Sequence, residues 1–209
     1  FSIPGTGSSG HLVGGILLAA VLGPWAAFVT LSSVVVLQCL LFADGGFLAL
    51  GANLLNMAAL SCLVAYPAVF RPVVCPGAPF GRILLASISA GIVAFGLGAV
   101  AVTLETEASG ITALPPGRFL LFMLPIHLVI GIGEGVATAA ILAALHRYRT
   151  TLSDAALRQP GGSRKRMRGL LAIAAAALLV GTVFPRFASS DPDGLEWSVE
   201  RVAGSDEIV

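Results

Sequence analysis

Residues 83–104 read Ile83-Leu-Leu-Ala-Ser-Ile-Ser-Ala-Gly-Ile-Val-Ala-Phe-Gly-Leu-Gly-Ala-Val-Ala-Val-Thr-Leu104, without one charged side chain. A helix rising about 1.5 Å per residue needs about 20 such residues to cross the hydrocarbon of a bilayer. Apolar runs of the same character occupy 11–22, 25–42, 48–70, 119–145 and 170–184. Of the 209 residues, 56% are hydrophobic and 11% charged, and mean hydropathy is +0.94. Soluble domains carry about 25% charged residues, so the fold class is an all-α, polytopic membrane helical bundle. About six hydrophobic helices are expected, the C-terminal one included.

The runs are punctuated in a telling way. The first is too short to span comfortably and is separated from the second by Gly23-Pro24. It reads as a short tilted helix or a half-helix whose irregular end is covered by neighbours. Pro24 suits the first turn of the next helix, and Pro125 should kink the fifth run. Gly15, Ala19 and Gly23 follow small-xxx-small spacing, which admits a close helix backbone. That face docks either a partner subunit or another helix of this chain. The three cysteines, Cys39, Cys62 and Cys75, are scattered and suggest neither a disulfide framework nor a thiolate metal site.

Orientation follows from Lys and Arg. Arg147, Arg149, Arg158, Arg164, Lys165, Arg166 and Arg168 cluster after His146, and Arg71 and Arg82 flank the Cys75-Pro-Gly-Ala-Pro loop. The positive-inside rule puts both loops in the cytoplasm. Residues 1–10, 43–47, 105–118 and 185–209 then fall outside, with the N-terminal loop and C-terminal tail extracytoplasmic. In this threading His11, Asp44, Asn53, Asn56 and His127 converge on the outer mouth of one bundle. The basic segment reads as a topology determinant with affinity for anionic membrane lipid in preference to a nucleic-acid patch, since Tyr148 is its one aromatic residue.

Chemistry-bearing residues admit two readings each. His11, after a loop rich in Gly, Ser and Pro, either hydrogen-bonds that loop at a helix start or ligates a metal ion. Asp44-Gly45-Gly46 is a sharp turn, or its carboxylate attracts cations at the mouth. Asn53 and Asn56 share a helical face. They either bind neighbouring helices or fix the loop that carries His11. His127 and Glu134 lie two turns apart on the fifth run, and ionisable residues at such depth are costly. They brace the bundle or handle substrate. Gly7-Ser8-Ser9-Gly10 resembles the nucleophile loop of rhomboid-type intramembrane proteases, with Ser9 and His127 as a conceivable dyad. A third possibility is a non-transporting assembly subunit. The Gly-x-x-x-x-Gly-Lys-Ser/Thr signature of nucleotide binding is missing from the sequence, so no bound nucleotide is expected.

As a set, several segments resemble the CbiM/NikM family, substrate-binding components of energy-coupling-factor cobalt and nickel transporters. They are Ser9-Gly10-His11-Leu12-Val13-Gly14-Gly15, Leu22-Gly23-Pro24-Trp25-Ala26-Ala27, Leu41-Phe42-Ala43-Asp44-Gly45-Gly46, Leu50-Gly51-Ala52-Asn53-Leu54-Leu55-Asn56-Met57 and His127-Leu128-Val129-Ile130-Gly131-Ile132-Gly133-Glu134-Gly135. Pro192-Asp193-Gly194-Leu195-Glu196-Trp197 resembles the PDGLE module, related to the small partner CbiN/NikN. The resemblance implies a substrate-binding domain over 1–146, a basic cytoplasmic linker over 147–169 and the start of a PDGLE module over 170–209. It implies a multi-pass plasma-membrane protein, not an enzyme, that captures Ni²⁺ or Co²⁺ through His11. Ser9, Asp44, Asn53, Asn56, His127 and Glu134 then stand around the ligand or along the ion's path. The family's other ligands are the free amino group, the next amide nitrogen and a histidine, all from its extreme N-terminus. The chain begins at Phe1, downstream of that segment, so as it stands it is expected to bind metal poorly or not at all, and it reads as a fragment that ends before the closing helix expected of the PDGLE module. The implied partners are a transmembrane coupling subunit (CbiQ/NikQ-like) and an ATPase subunit (CbiO/NikO-like).

Overall fold

The structure, a computed structural model, describes residues 2–3, 8–9, 12–42, 46–75, 77–110, 115–156 and 192–203. His11, Asp44, most of the basic segment and the apolar run at 170–184 lie outside the described residues. The architecture is a helical membrane bundle. Four helices are long and apolar enough to cross a bilayer: Pro24–Leu41, Leu50–Val73, Phe80–Ser109 and Pro116–Leu145.

Two short strands, β1 (Ser2–Ile3) and β2 (Ser8–Ser9), pair antiparallel with Ser2 opposite Ser9 and Ile3 opposite Ser8. Helix α1 (Gly15–Leu22) is only eight residues, in keeping with a half-helix. It ends at Gly23, whose φ of 86° is readily adopted by glycine, and Pro24 opens α2 (Pro24–Phe42). The third helix, α3, runs over Leu50–Val73. Its central stretch Leu54–Phe70 is π-helical and contains Pro67, which has no N–H to donate. Helices α4 (Phe80–Ser109) and α5 (Pro116–Ala156) complete the spans, and the short amphipathic α6 (Gly194–Ala203) follows.

Two bounds differ from the sequence reading. Glu105 and Glu107, expected in an outer loop, belong to the last turns of α4, because nothing breaks the helix before Gly110 (φ 63°). Helix α5 continues past His146 into the basic segment, as far as Ala156. Pro160 and the glycines after it are the first breakers on that side.

Packing is by close approach of small side chains, as expected where lipid provides no hydrophobic drive between helices. Ala65, Ala86, Ala90 and Ala94 join Ile16 and Phe70 in one core cluster; Ala19, Ala27, Ala58 and Cys62 join Leu31 in a second. At the crossing of α4 and α5 the backbones touch. A Cβ on Gly131 would stand 2.7 Å from the Gly91 carbonyl oxygen, and one on Gly135 would run into the Ile88 backbone. Large apolar side chains such as Trp25, Leu40 and Leu121 point outward, as a lipid-facing surface requires.

Short connections between α3, α4 and α5 make them antiparallel neighbours. One end of the bundle therefore carries Arg71, Arg82 and the start of the basic segment. The opposite end carries Asn53, Asn56, Glu105 and His127.

Candidate functional site

The site begins at the turn into α1. Gly14, the residue before the helix, has φ 78°, a left-handed conformation that glycine enters without strain. Gly15 follows because a Cβ there would collide with the Ser61 side chain of α3. Cys62 donates its thiol to the Gly15 carbonyl at 3.6 Å. This turn is therefore seated directly on α3.

From the other side it is held by Glu134. The Glu134 side chain, 2% exposed, extends from α5 to the turn. Its Oε2 accepts the Val13 N–H at 2.7 Å, and the Gly14 N–H reaches Oε1 at 3.0 Å and Oε2 at 3.1 Å. A buried carboxylate is costly unless such donors meet it. Here they are two backbone amides just before a helix start, where the helix dipole also favours negative charge. Val13 follows His11 by two residues in the sequence.

Beside this turn lies a cavity of about 160 Å³ lined by Val13, Asn53, Asn56, Ser61, Phe95 and His127, among others. Three residues singled out from the sequence are thus brought to one space by α3 and α5. Asn56 donates Nδ2–H to Glu105 Oε2 at 2.8 Å, across to α4, while its Oδ1 is buried with no partner among the described residues. His127 Nδ1 lies 2.9 Å from the Met123 carbonyl oxygen. A carbonyl only accepts, so that bond requires the proton on Nδ1 and makes Nε2 the lone-pair nitrogen of the neutral ring. The His127 ring also leans on Phe95, centroids 6.4 Å apart.

One wall comes from the C-terminal segment. Asp193 Oδ1 accepts the Leu195 and Glu196 amides at 2.8 and 2.9 Å, and the Asp193 N–H donates to Glu196 Oε2 at 3.2 Å. This is a reciprocal capping box, and it explains Asp-x-x-Glu in Pro192-Asp193-Gly194-Leu195-Glu196. Gly194 is required by contact: a Cβ there would sit 3.0 Å from Ile126 Cγ2 and 3.3 Å from His127 Cε1. Trp197 packs edge-on against Phe122 and is covered by the Arg201 guanidinium. Helix α6 thereby rests on α5 at the cavity, and β2 reaches it as well.

The other candidates are placed as follows. Ser9 lies in β2, paired with Ser2. Gly15 and Ala19 face this chain's own α3 core, and the space a Cβ of Gly23 would occupy is open. Among the described residues no group of three His, Cys, Asp or Glu side chains converges as a metal site. Sequence reasoning missed Glu105 as the partner of Asn56, and the capping box, whose Asp-x-x-Glu spacing was available as a signal.

The chain is similar to proteins of metal transport. The family model described as "Cobalt uptake substrate-specific transmembrane region", CbiM, matches residues 1–152, and the PDGLE domain matches 167–209. An Archaeoglobus fulgidus chain carrying the name fused nickel transport protein NikMN is 36% identical over 190 residues, 89% of this chain and 57% of that one. The fused nickel transport protein NikMN of Rhodobacter capsulatus is 32% identical, over 85% of this chain and 54% of its own length. The cobalt transport protein CbiM of Sorangium cellulosum is 30% identical, over 73% of this chain and 68% of its own. The chain thus spans little more than half the length of the fused relatives. A crystal structure of a transition metal transporter superposes with a TM-score of 0.61 at 31% identity, covering 77% of this chain and 76% of that one.

Proposed function

The chain belongs to the CbiM family of cobalt-uptake transmembrane regions and carries a PDGLE domain, and on that premise we propose that it captures Ni²⁺ or Co²⁺ at the outer face of the plasma membrane for ATP-driven uptake. The relatives are metal transport proteins, not enzymes. His11 is the ligand this chain contributes, together with nitrogen donors from the segment that precedes it in the family. Nitrogen donors suit both ions, which follow one another in affinity and differ chiefly through geometry and supply.

The observation that carries the reading is the Glu134 carboxylate, which ties down the Val13 and Gly14 amides, just after His11 in the sequence, beside a cavity that Asn53, Asn56 and His127 help to line. A buried carboxylate spent on two loop amides makes sense where that loop must be held in one conformation. Asn53, Asn56 and His127 then border the ion's route inward, with Ser9 and Asp44 at its outer mouth. Orientation is supported by Arg71, Arg82, Arg147 and Arg149 at the opposite end of the bundle, under the positive-inside rule.

Energy comes from a separate ATPase subunit (CbiO/NikO-like) through a transmembrane coupling subunit (CbiQ/NikQ-like). The working division is a substrate-binding domain over 1–146, a cytoplasmic linker over 147–169 and a PDGLE module over 170–209 with its tail outside. The test is radioactive nickel and cobalt uptake by cells expressing the full natural chain with those two subunits. Uptake should depend on both subunits and be lost in His11→Ala. Uptake without the ATPase, or undiminished in His11→Ala, contradicts the proposal.

A further inference from the structure

We infer that Glu134 is the positioning residue of metal capture: it holds the Val13–Gly14 turn that follows His11 in the sequence, and it is itself set by the backbone contact between α4 and α5. This deepens the reading above and rests on His11 being a ligand. Glu134 acts through the Val13 and Gly14 amides, 121 and 120 residues away in sequence.

Its own position leaves little freedom. Gly131 and Gly135 flank it on α5, one turn before and one residue after. Both lie hard against the α4 backbone, at Gly91 and Ile88. A side chain on either glycine would drive the helices apart and move the carboxylate relative to α1. The two amides it holds are rigid in turn, because Gly14 is fixed in its left-handed conformation and Gly15 is pressed on Ser61. The clasp therefore connects three helices through one side chain. Removing an acceptor leaves two donors unmet in a half-buried turn, and the turn then relaxes outward to find water.

The test compares the parent, Glu134→Gln and Glu134→Asp in the full natural chain. Two quantities are read: site-resolved amide exchange without metal, and affinity for Ni²⁺ and Co²⁺ alone. Glutamine keeps the shape but presents an NH₂ group to amide donors, and aspartate keeps the charge but falls short by one methylene. In Glu134→Gln, exchange at Val13 and Gly14 should rise at least about tenfold while α4 and α5 core amides hold. Affinity should fall by about 10- to 100-fold, the range typical of groups that orient a ligand. Aspartate should lie between Gln and the parent, and it carries both readouts if the Gln variant does not fold. Unchanged exchange at the two amides overturns the inference, as does faster exchange with unchanged affinity. A parent that binds neither metal sinks the functional reading instead. The clasp is then upheld by accelerated exchange in Glu134→Gln and overturned by its absence.

Discussion

Replacing Asn56 by Asp puts a carboxylate where an amide now donates to Glu105 Oε2 at 2.8 Å. The bond lost is one to a charged acceptor, worth about 1.5–3 kcal/mol. In its place stand two like charges in a half-buried setting, where repulsion at 4 Å reaches about 4 kcal/mol at an effective dielectric constant of 20. The pair relieves itself by sharing a proton, so the two costs do not add in full. A net destabilisation of about 2–4 kcal/mol follows. For a chain of this size that lowers the thermal midpoint by about 4–16 °C. The assay is thermal unfolding of the detergent-solubilised protein. Glu105→Gln should restore most of the loss when added to Asn56→Asp, because the amide and carboxylate then exchange sides of the same bond. An Asn56→Asp midpoint equal to the parent's, or a double variant no better than Asn56→Asp alone, would refute the contact as described.

Further outcomes follow from the same geometry. Asp193→Ala removes the acceptor of two amides at the start of α6 and should cost about 1 kcal/mol of local helix stability, seen as faster amide exchange over 194–203 with the four spans unaffected. Gly194→Val should force α6 off His127 and Ile126, and exchange at its amides together with Trp197 fluorescence should report its release from Phe122. Gly135→Leu should wedge α5 from the Ile88 backbone at a cost of at least about 1–3 kcal/mol, read as a lowered midpoint or loss of monodisperse protein.

How far the sequence carried is best judged residue by residue. The membrane class rested on long uncharged runs such as 83–104, a requirement of the bilayer that needs no tertiary information. Alternating spans with Arg at one end were enough to place Asn53, Asn56 and His127 at a common mouth, and all three line one cavity. The partner of Glu134 was not legible, because two backbone amides carry no side-chain signature and lie over a hundred residues away. Of the two readings of Asn56, its bond to Glu105 is the one that binds a neighbouring helix. That acid was read as loop because hydrophobicity stops at Leu104, although helices stop at breakers and caps, and the breaker is Gly110. The π-helical winding of Leu54–Phe70 had no signal beyond Pro67. The capping box at Asp193 and Glu196 did have one, in spacing alone.

The central claim is that the His11 imidazole ligates the captured ion. Calorimetric titration of Ni²⁺ and Co²⁺ into the purified full natural chain, parent against His11→Ala, tests it most directly. Loss of a coordinating nitrogen should weaken binding by at least the roughly 100-fold upper range found for groups that merely orient a ligand, with the fold and thermal midpoint of the metal-free protein preserved. Equal affinity for both ions in the parent and in His11→Ala would contradict the account.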